Sequence, residues 1–185
     1  MKQRLTILLA VLPLAIVAAA PLCAAADAGP TPVAGAAAPA FKLQDQHGAW
    51  HTPGQYAGKW LVLYFYPRDG TPGCTKQVCA FRDEITKVRA AGAEVVGVSV
   101  DAVASHEKFA KEHNVPFPLL ADVDKTAAKA YGVLTSKLGF EYARRDTFVI
   151  DPHGKIAKHY SDVDPEKNVT QVLEDLASLK AAAAK

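Results

Sequence analysis

Apolar residues fall along this chain in several distinct rhythms. Trp60 to Tyr66 (WLVLYFY) is almost unbroken hydrophobe and predicts a strand covered on both faces. Val78, Phe81, Ile85 and Val88 then recur at three- and four-residue spacing, which predicts an amphipathic helix with Gly92 as its cap. Glu94 to Val100 reads as a second buried strand, and Asp101 can N-cap a helix running to about Asn114. Phe117 to Leu120 is a further short strand, followed by a short helix from Lys125 to Tyr131 that Gly132 stops. Thr147 to Ile150 and Lys155 to Tyr160 flank Asp151-Pro-His-Gly154, the pattern of a hairpin. Asp164-Pro165 opens a last helix carrying Val169, Val172, Leu173 and Leu176. Alternating strands and helices that end in a hairpin and a helix predict an α/β sandwich of three layers around a central mixed sheet.

The rest of the apolar content sits at the N-terminus. Lys2 and Arg4 precede a hydrophobic run from Leu5 to Ala20, and Ala24-Ala25-Ala26 offers a cleavage site before Asp27. Residues 1–26 therefore read as a cleaved secretory signal peptide, which implies a periplasmic protein with no stable membrane association. The run is broken by Pro13 and Pro21 and barely reaches the ~20 residues of a membrane span. Leu22 stands before Cys23 where a lipoprotein signal has a small residue, so Cys23 leaves with the signal. Residues 27–40, small and Pro-interrupted, read as a flexible leader. The domain is expected over 41–180 and a disordered tail over 181–185. The chain has 21 Lys and Arg against 19 Asp and Glu; without Lys2 and Arg4 the two counts are 19 and 19. A neutral mature chain gives no sign of nucleic-acid binding.

Cleavage leaves Cys74 and Cys79, both in YFYPRDGTPGCTKQVCAFRD. A bridge between them would close almost no loop, so redox chemistry suits them better than a structural staple. Gly73 ends a turn, which puts Cys74 in the first turn of the helix, where free N–H groups and the helix dipole favour a thiolate. Thr71 can aim its hydroxyl at that sulfur, and Pro67 fixes the backbone leaving the strand and can shield the pocket from water.

Pro67-x-x-x-Thr71-x-x-Cys74 resembles the active-site signature of peroxiredoxins. The longer run TPGCT, with Cys79 and Phe81-Arg-Asp83, is similar to the bacterioferritin-comigratory (PrxQ) subfamily. The likeness extends from about Pro39 to Leu179 through Gly97-Val-Ser-Val-Asp101, Phe117-Pro-Leu-Leu120, Tyr131-Gly-Val133 and Arg145-x-Thr-Phe-Val-Ile-Asp151. It implies a thioredoxin-like sandwich and reduction of hydrogen peroxide and organic hydroperoxides without metal or haem. Cys74 would attack the peroxide, with Thr71, Arg145 and the Cys74 N–H as donors to the leaving oxygen. Arg145, two residues before Thr147-Phe148, fits the motif; Arg144 is its rival.

The same resemblance makes Cys79 the resolving cysteine, in a disulfide re-reduced by a thioredoxin-like donor. Five residues of α-helix separate Cα atoms by ~8.6 Å, beyond the ~7 Å a disulfide tolerates. The helix start is therefore expected to unwind in each cycle. No cysteine follows Cys79, so resolution is expected within one chain and the protein as a monomer.

Two other functions share this fold. A thioredoxin-like disulfide oxidoreductase would use CxxC, and a copper-binding chaperone would use CxxxC with a supported histidine. The six histidines read as solvated or packing residues, since His106 and His113 are ~10.5 Å apart along one helix. Tyr64 and Tyr66 read as core and pocket wall. Arg82 can assist Cys79 or flank the apolar stripe. Asn168-Val-Thr170 matches a glycosylation sequon by chance.

Overall fold

A computed structural model describes residues 29–183. In chain order these form β1 (Leu43–Gln44), β2 (Trp50–His51), β3 (Trp60–Phe65), α1 (Pro72–Ala90), β4 (Ala93–Ser99), α2 (Val103–His113) and β5 (Leu119–Ala121). There follow α3 (Thr126–Ala130), β6 (Leu134–Lys137), β7 (Phe140–Ala143), β8 (Thr147–Ile150), β9 (Ile156–Tyr160) and α4 (Asn168–Ala183).

The central sheet has the order β2-β1-β5-β4-β3-β8-β9. β4 runs parallel to β3 and β5, whereas β8, β9, β1 and β2 are added antiparallel, so the sheet is mixed as expected. β3, an interior strand between β4 and β8, is buried at all six positions, which is why its sequence shows no alternation. Its odd and even residues serve different cores. Tyr64, with Val62, joins Cys74, Val78 and Phe81 of α1, Phe109 of α2, and Val172 and Leu176 of α4. Leu63 and Phe65 join Ala127 and Ala128 of α3, Tyr131, and Phe148 of β8. The sandwich thus has α1, α2 and α4 on one face and α3 with the β6–β7 hairpin on the other.

Residues 27–40 are not a free leader where they are described. Gly29 donates to Lys129 O, Gly35 to Ile156 O and Ala38 to Gly154 O, while Ala36 O accepts from the Ile156 N–H. Ala37 bridges Lys155 at the sheet edge. These contacts are made by the backbone, which needs no side-chain periodicity. The tail is likewise helical as far as Ala183, because alanine extends a helix at little cost. Asp101 does not cap α2; Ala102 holds that position, and the Asp101 carboxylate accepts from the Asp69 N–H and the Ser99 hydroxyl instead. The signal peptide, residues 1–26, lies outside the described residues. None of the described helices is long and apolar enough to cross a membrane.

The β6–β7 hairpin was not foreseen. Its turn places Leu138 and Gly139 at φ 52° and 80°, a conformation normally marked by Asn-Gly. Leu138 and Phe140 are exposed, so no alternating apolar signal announces the strands.

Candidate active site

α1 begins where the sequence stops supplying strand. Thr71 is the N-cap with extended backbone and Pro72 takes the first helical position, where its missing N–H is not needed. Cys74 follows in the first turn and is 1 % exposed. Two observations fix the polarity of its surroundings. The sulfur is carried by the first turn of α1, where backbone N–H groups have no partner within the helix, and Arg145 donates from Nη2 to Cys74 Sγ at 3.3 Å. Arg145, just before β8, reaches α1 because β8 lies next to β3 in the sheet. Gly73 makes room for this approach: a Cβ there would stand 3.2 Å from Arg145 Nη2. Arg144, its neighbour, is occupied elsewhere, bonding Gly132 O at 3.0 Å and Asp146 at 3.2 Å.

The other sequence candidates are placed less simply. The Thr71 hydroxyl does not point its proton at sulfur; it donates to Arg68 O at 3.1 Å within the turn. Turn closure competes with the sulfur for the only hydroxyl proton Thr71 has. Pro67 is half-buried and lines a cavity of about 530 Å³ together with Arg68, Asp101, Phe140 and Tyr142; Cys74 is not among the lining residues. Cys79 is half-buried, and both cysteines are free thiols in one continuous α1. Arg82 is tied to His113 O and Asp83, both at 2.8 Å.

Sequence reasoning missed a polar chain behind the sulfur. Arg145 Nη1 donates to Gln77 Oε1 at 2.8 Å, and Gln77 Nε2 donates to Asn168 Oδ1 at 3.2 Å, which also accepts from Thr147 at 2.8 Å. The direction is forced from one end. A guanidinium only donates, so it presents Gln77 oxygen first, and the Gln77 amide then demands the Asn168 oxygen. Gln77, Thr147 and Asn168 are all fully buried, so the Asn168 sequon has no exposed amide to glycosylate. A glutamine on the buried stripe one turn after Cys74 was the available signal; nothing in the sequence links position 77 to 168.

A second unforeseen cluster holds the turn itself. Asp69 accepts from the Tyr66 hydroxyl at 2.7 Å, Ser105 at 2.8 Å and His106 Nδ1 at 2.8 Å. Its N–H donates to Asp101 at 2.9 Å, so the Pro67–Gly73 turn is fastened to α2. Burial pushes the Asp69 carboxyl up, but the His106 hydrogen bond and charge and the Tyr66 and Ser105 bonds outweigh it and hold it below the usual carboxylate range. Its folded value being the lower one, its stabilising contribution is complete above the ordinary carboxylate range and is lost as pH falls through the folded value. Asp69→Asn should therefore cost about 2 kcal/mol at neutral pH and show a shallower loss of stability on acidification. Thermal melts of both proteins from neutral to acid pH decide it, and parallel curves would count against Asp69. In sequence His106 reads as an ordinary solvated or packing histidine; it shares the buried face of α2 with Phe109 and Ala110, which is the available clue. Among the described residues, no three His, Cys, Asp or Glu side chains converge as a metal-ligand set.

Comparison with known proteins agrees with this architecture. Residues 34–159 match the AhpC/TSA family. The chain is 44 % identical over 147 residues to chloroplastic peroxiredoxin Q of Sedum lineare, covering 79 % of this chain and 78 % of that protein. It is 40 % identical over 143 residues to a putative peroxiredoxin bcp of Coxiella burnetii, covering 75 % and 95 %. The crystal structure of peroxidoxin BcpB from Mycobacterium tuberculosis superposes with a TM-score of 0.74 at 34 % identity, covering 78 % of this chain and 96 % of that one. Xanthomonas campestris peroxiredoxin Q gives 0.71 at 34 % identity, covering 75 % and 90 %. The thioredoxin-like sandwich, the matched family and these relatives together identify the chain as a member of the AhpC/TSA family, in its peroxiredoxin Q (bacterioferritin-comigratory) branch.

Proposed function

We propose that the Cys74 site reduces hydroperoxides through a sulfenic acid on Cys74 and then an intramolecular Cys74–Cys79 disulfide. As a peroxiredoxin of the Q branch the chain is a thiol-dependent peroxidase. The observation that carries the assignment of roles is the 3.3 Å bond from Arg145 to a buried sulfur in the first turn of α1. The Arg145 guanidinium and the N-terminus of α1 are both electropositive neighbours of the sulfur and of the oxygen it releases.

The thiolate attacks the terminal peroxide oxygen. An S–O bond forms, the O–O bond breaks, and the departing oxygen takes a proton and leaves as water or alcohol. Arg145 and the Cys74 N–H can stabilise charge on that oxygen. Thr71 can join them by rotating its hydroxyl away from Arg68 O, and Pro67 limits water at the mouth of the turn. Cys79, as thiolate, then displaces hydroxide from the Cys74 sulfenic acid, which is protonated to water.

Because both cysteines lie in one regular helix, their ~8.6 Å separation must shrink below ~7 Å. Unwinding of the first turns of α1 supplies that movement. Arg82, anchored to His113 O, and Phe81, fully buried, mark where it should stop.

Residues 1–26 support export to the periplasm, which in turn favours a membrane-fed, thioredoxin-like reductant over a cytosolic one. No cysteine beyond Cys79 supports resolution within a monomer.

One equivalent of peroxide added to the reduced protein should remove two thiols from the wild type and one from Cys79→Ser. Thioredoxin-coupled turnover of Cys79→Ser should fall to background. No peroxide-driven thiol loss in the wild type would overturn the assignment, and undiminished turnover of Cys79→Ser would establish a one-cysteine cycle instead.

A further inference from the structure

We propose that Tyr64 is a positioning residue that sets how readily the start of α1 unwinds, through a hydroxyl left without a partner beneath the two cysteines. The consequence for catalysis rests on the peroxidase reading above; the effect on unwinding does not.

Tyr64 is 1 % exposed, and its hydroxyl has no hydrogen-bond partner among the described residues. It lies in the same packed layer as Cys74, Val78 and Phe81, with Cys79 against that layer. Burial, and after it the charge of Cys74, pushes the phenol well above its ordinary pKa, so it remains a protonated donor.

The ring has no freedom to find a partner. It stacks on Phe81 at 4.9 Å and 12°, with Phe117 edge-on at 6.3 Å. Across the sheet it faces Gly97, its registered neighbour in β4. A Cβ at position 97 would lie 2.7 Å from both Tyr64 Cζ and Oη, so glycine there is what lets the hydroxyl fit. Space has been made for a polar group that is then left unsatisfied.

An unpaired buried hydroxyl is costly, and the cost falls on the wound state of α1 alone. When the turns carrying Cys74 and Val78 leave this layer, water or a displaced sulfur can reach the phenol. The unwound state is favoured accordingly. Since the disulfide can form only from that state, the same hydroxyl shifts the fate of the sulfenic acid. Unwinding leads to Cys79; staying wound exposes the sulfenic acid to a second peroxide, which adds an oxygen to give sulfinic acid and leaves as water or alcohol.

Tyr64→Phe keeps the ring and removes the hydroxyl. Disulfide formation after a peroxide pulse should slow about tenfold, and the sulfinic share at high peroxide should rise. The first reaction of Cys74 with peroxide should stay within about twofold, which also shows the variant is folded. In the reduced protein, amide exchange over residues 75–80 should slow by a similar factor of about ten. Wild-type disulfide rate with wild-type exchange would overturn the proposal, as would a loss confined to the peroxide reaction. A wild type that forms no disulfide would refute the peroxidase reading instead, and the exchange measurement would still decide this one.

Discussion

Cys74→Ser should bring peroxide turnover to background, a loss of about 10³-fold or more. The substitution is close to isosteric, so the α1 start, the Arg145 contact and the polar chain behind it can all persist. What disappears is the atom that can be an anion here. A serine hydroxyl is a far weaker acid and a far poorer nucleophile toward peroxide oxygen than a thiol, and the same helix start and guanidinium do not make up that difference. Peroxide consumption and free-thiol counting give the measurement. With Cys79 intact, the variant should keep its remaining thiol through a peroxide pulse. Turnover that survives in Cys74→Ser would move the chemistry to Cys79 and remove the reason for the site as described.

The second large effect is expected at Arg145. Arg145→Met removes the donor at 3.3 Å from Sγ and also leaves the fully buried Gln77 oxygen without its partner. Loss of one preorganised donor to a developing charge lowers rate by about 10²–10³-fold. Arg145→Lys should recover only part of that, because a single ammonium nitrogen cannot reproduce the spacing of the two guanidinium nitrogens that meet Gln77 and sulfur. Arg144→Met is the control. Its guanidinium serves Gly132 and Asp146, so the second-order rate with peroxide should stay within about threefold. If Arg144→Met were the damaging change, the assignment of the two arginines would be reversed. Reaction of Cys74 with a neutral alkylating agent should fall less than its reaction with peroxide in Arg145→Met. Only the peroxide reaction sheds a charged oxygen that the lost donor had stabilised.

Much of this arrangement was legible in local patterns. The buried run at β3, the apolar stripe on α1 and the turn between them place Cys74 at a helix start, and each rests on neighbours in sequence. The identity of Arg145 came from resemblance, since 71 positions separate it from its sulfur. Gln77 and Asn168 escaped because single polar residues among apolar ones carry no label saying what they meet. Asp69 and His106 escaped for the same reason, as their pairing is decided by how α2 crosses the turn. The docked segment from Gly29 to Ala38 and the β6–β7 hairpin were invisible for another cause. Both are held mainly by backbone hydrogen bonds, and both leave side chains in solvent, so neither writes a hydrophobic period into the chain.

That docked segment also fixes an orientation. Gly29, the first described residue, is bonded to Lys129 on the α3 side of the sheet, while α1 and its cysteines occupy the opposite face. A surface, fusion partner or bead joined directly at Gly29 would therefore hold the molecule from behind. The face with the thiols would look outward, toward a thioredoxin-type donor approaching from the other side. Immobilisation through this end should leave the redox cycle untouched, whereas a tether at the C-terminal end of α4 would sit on the thiol-bearing face of the sheet.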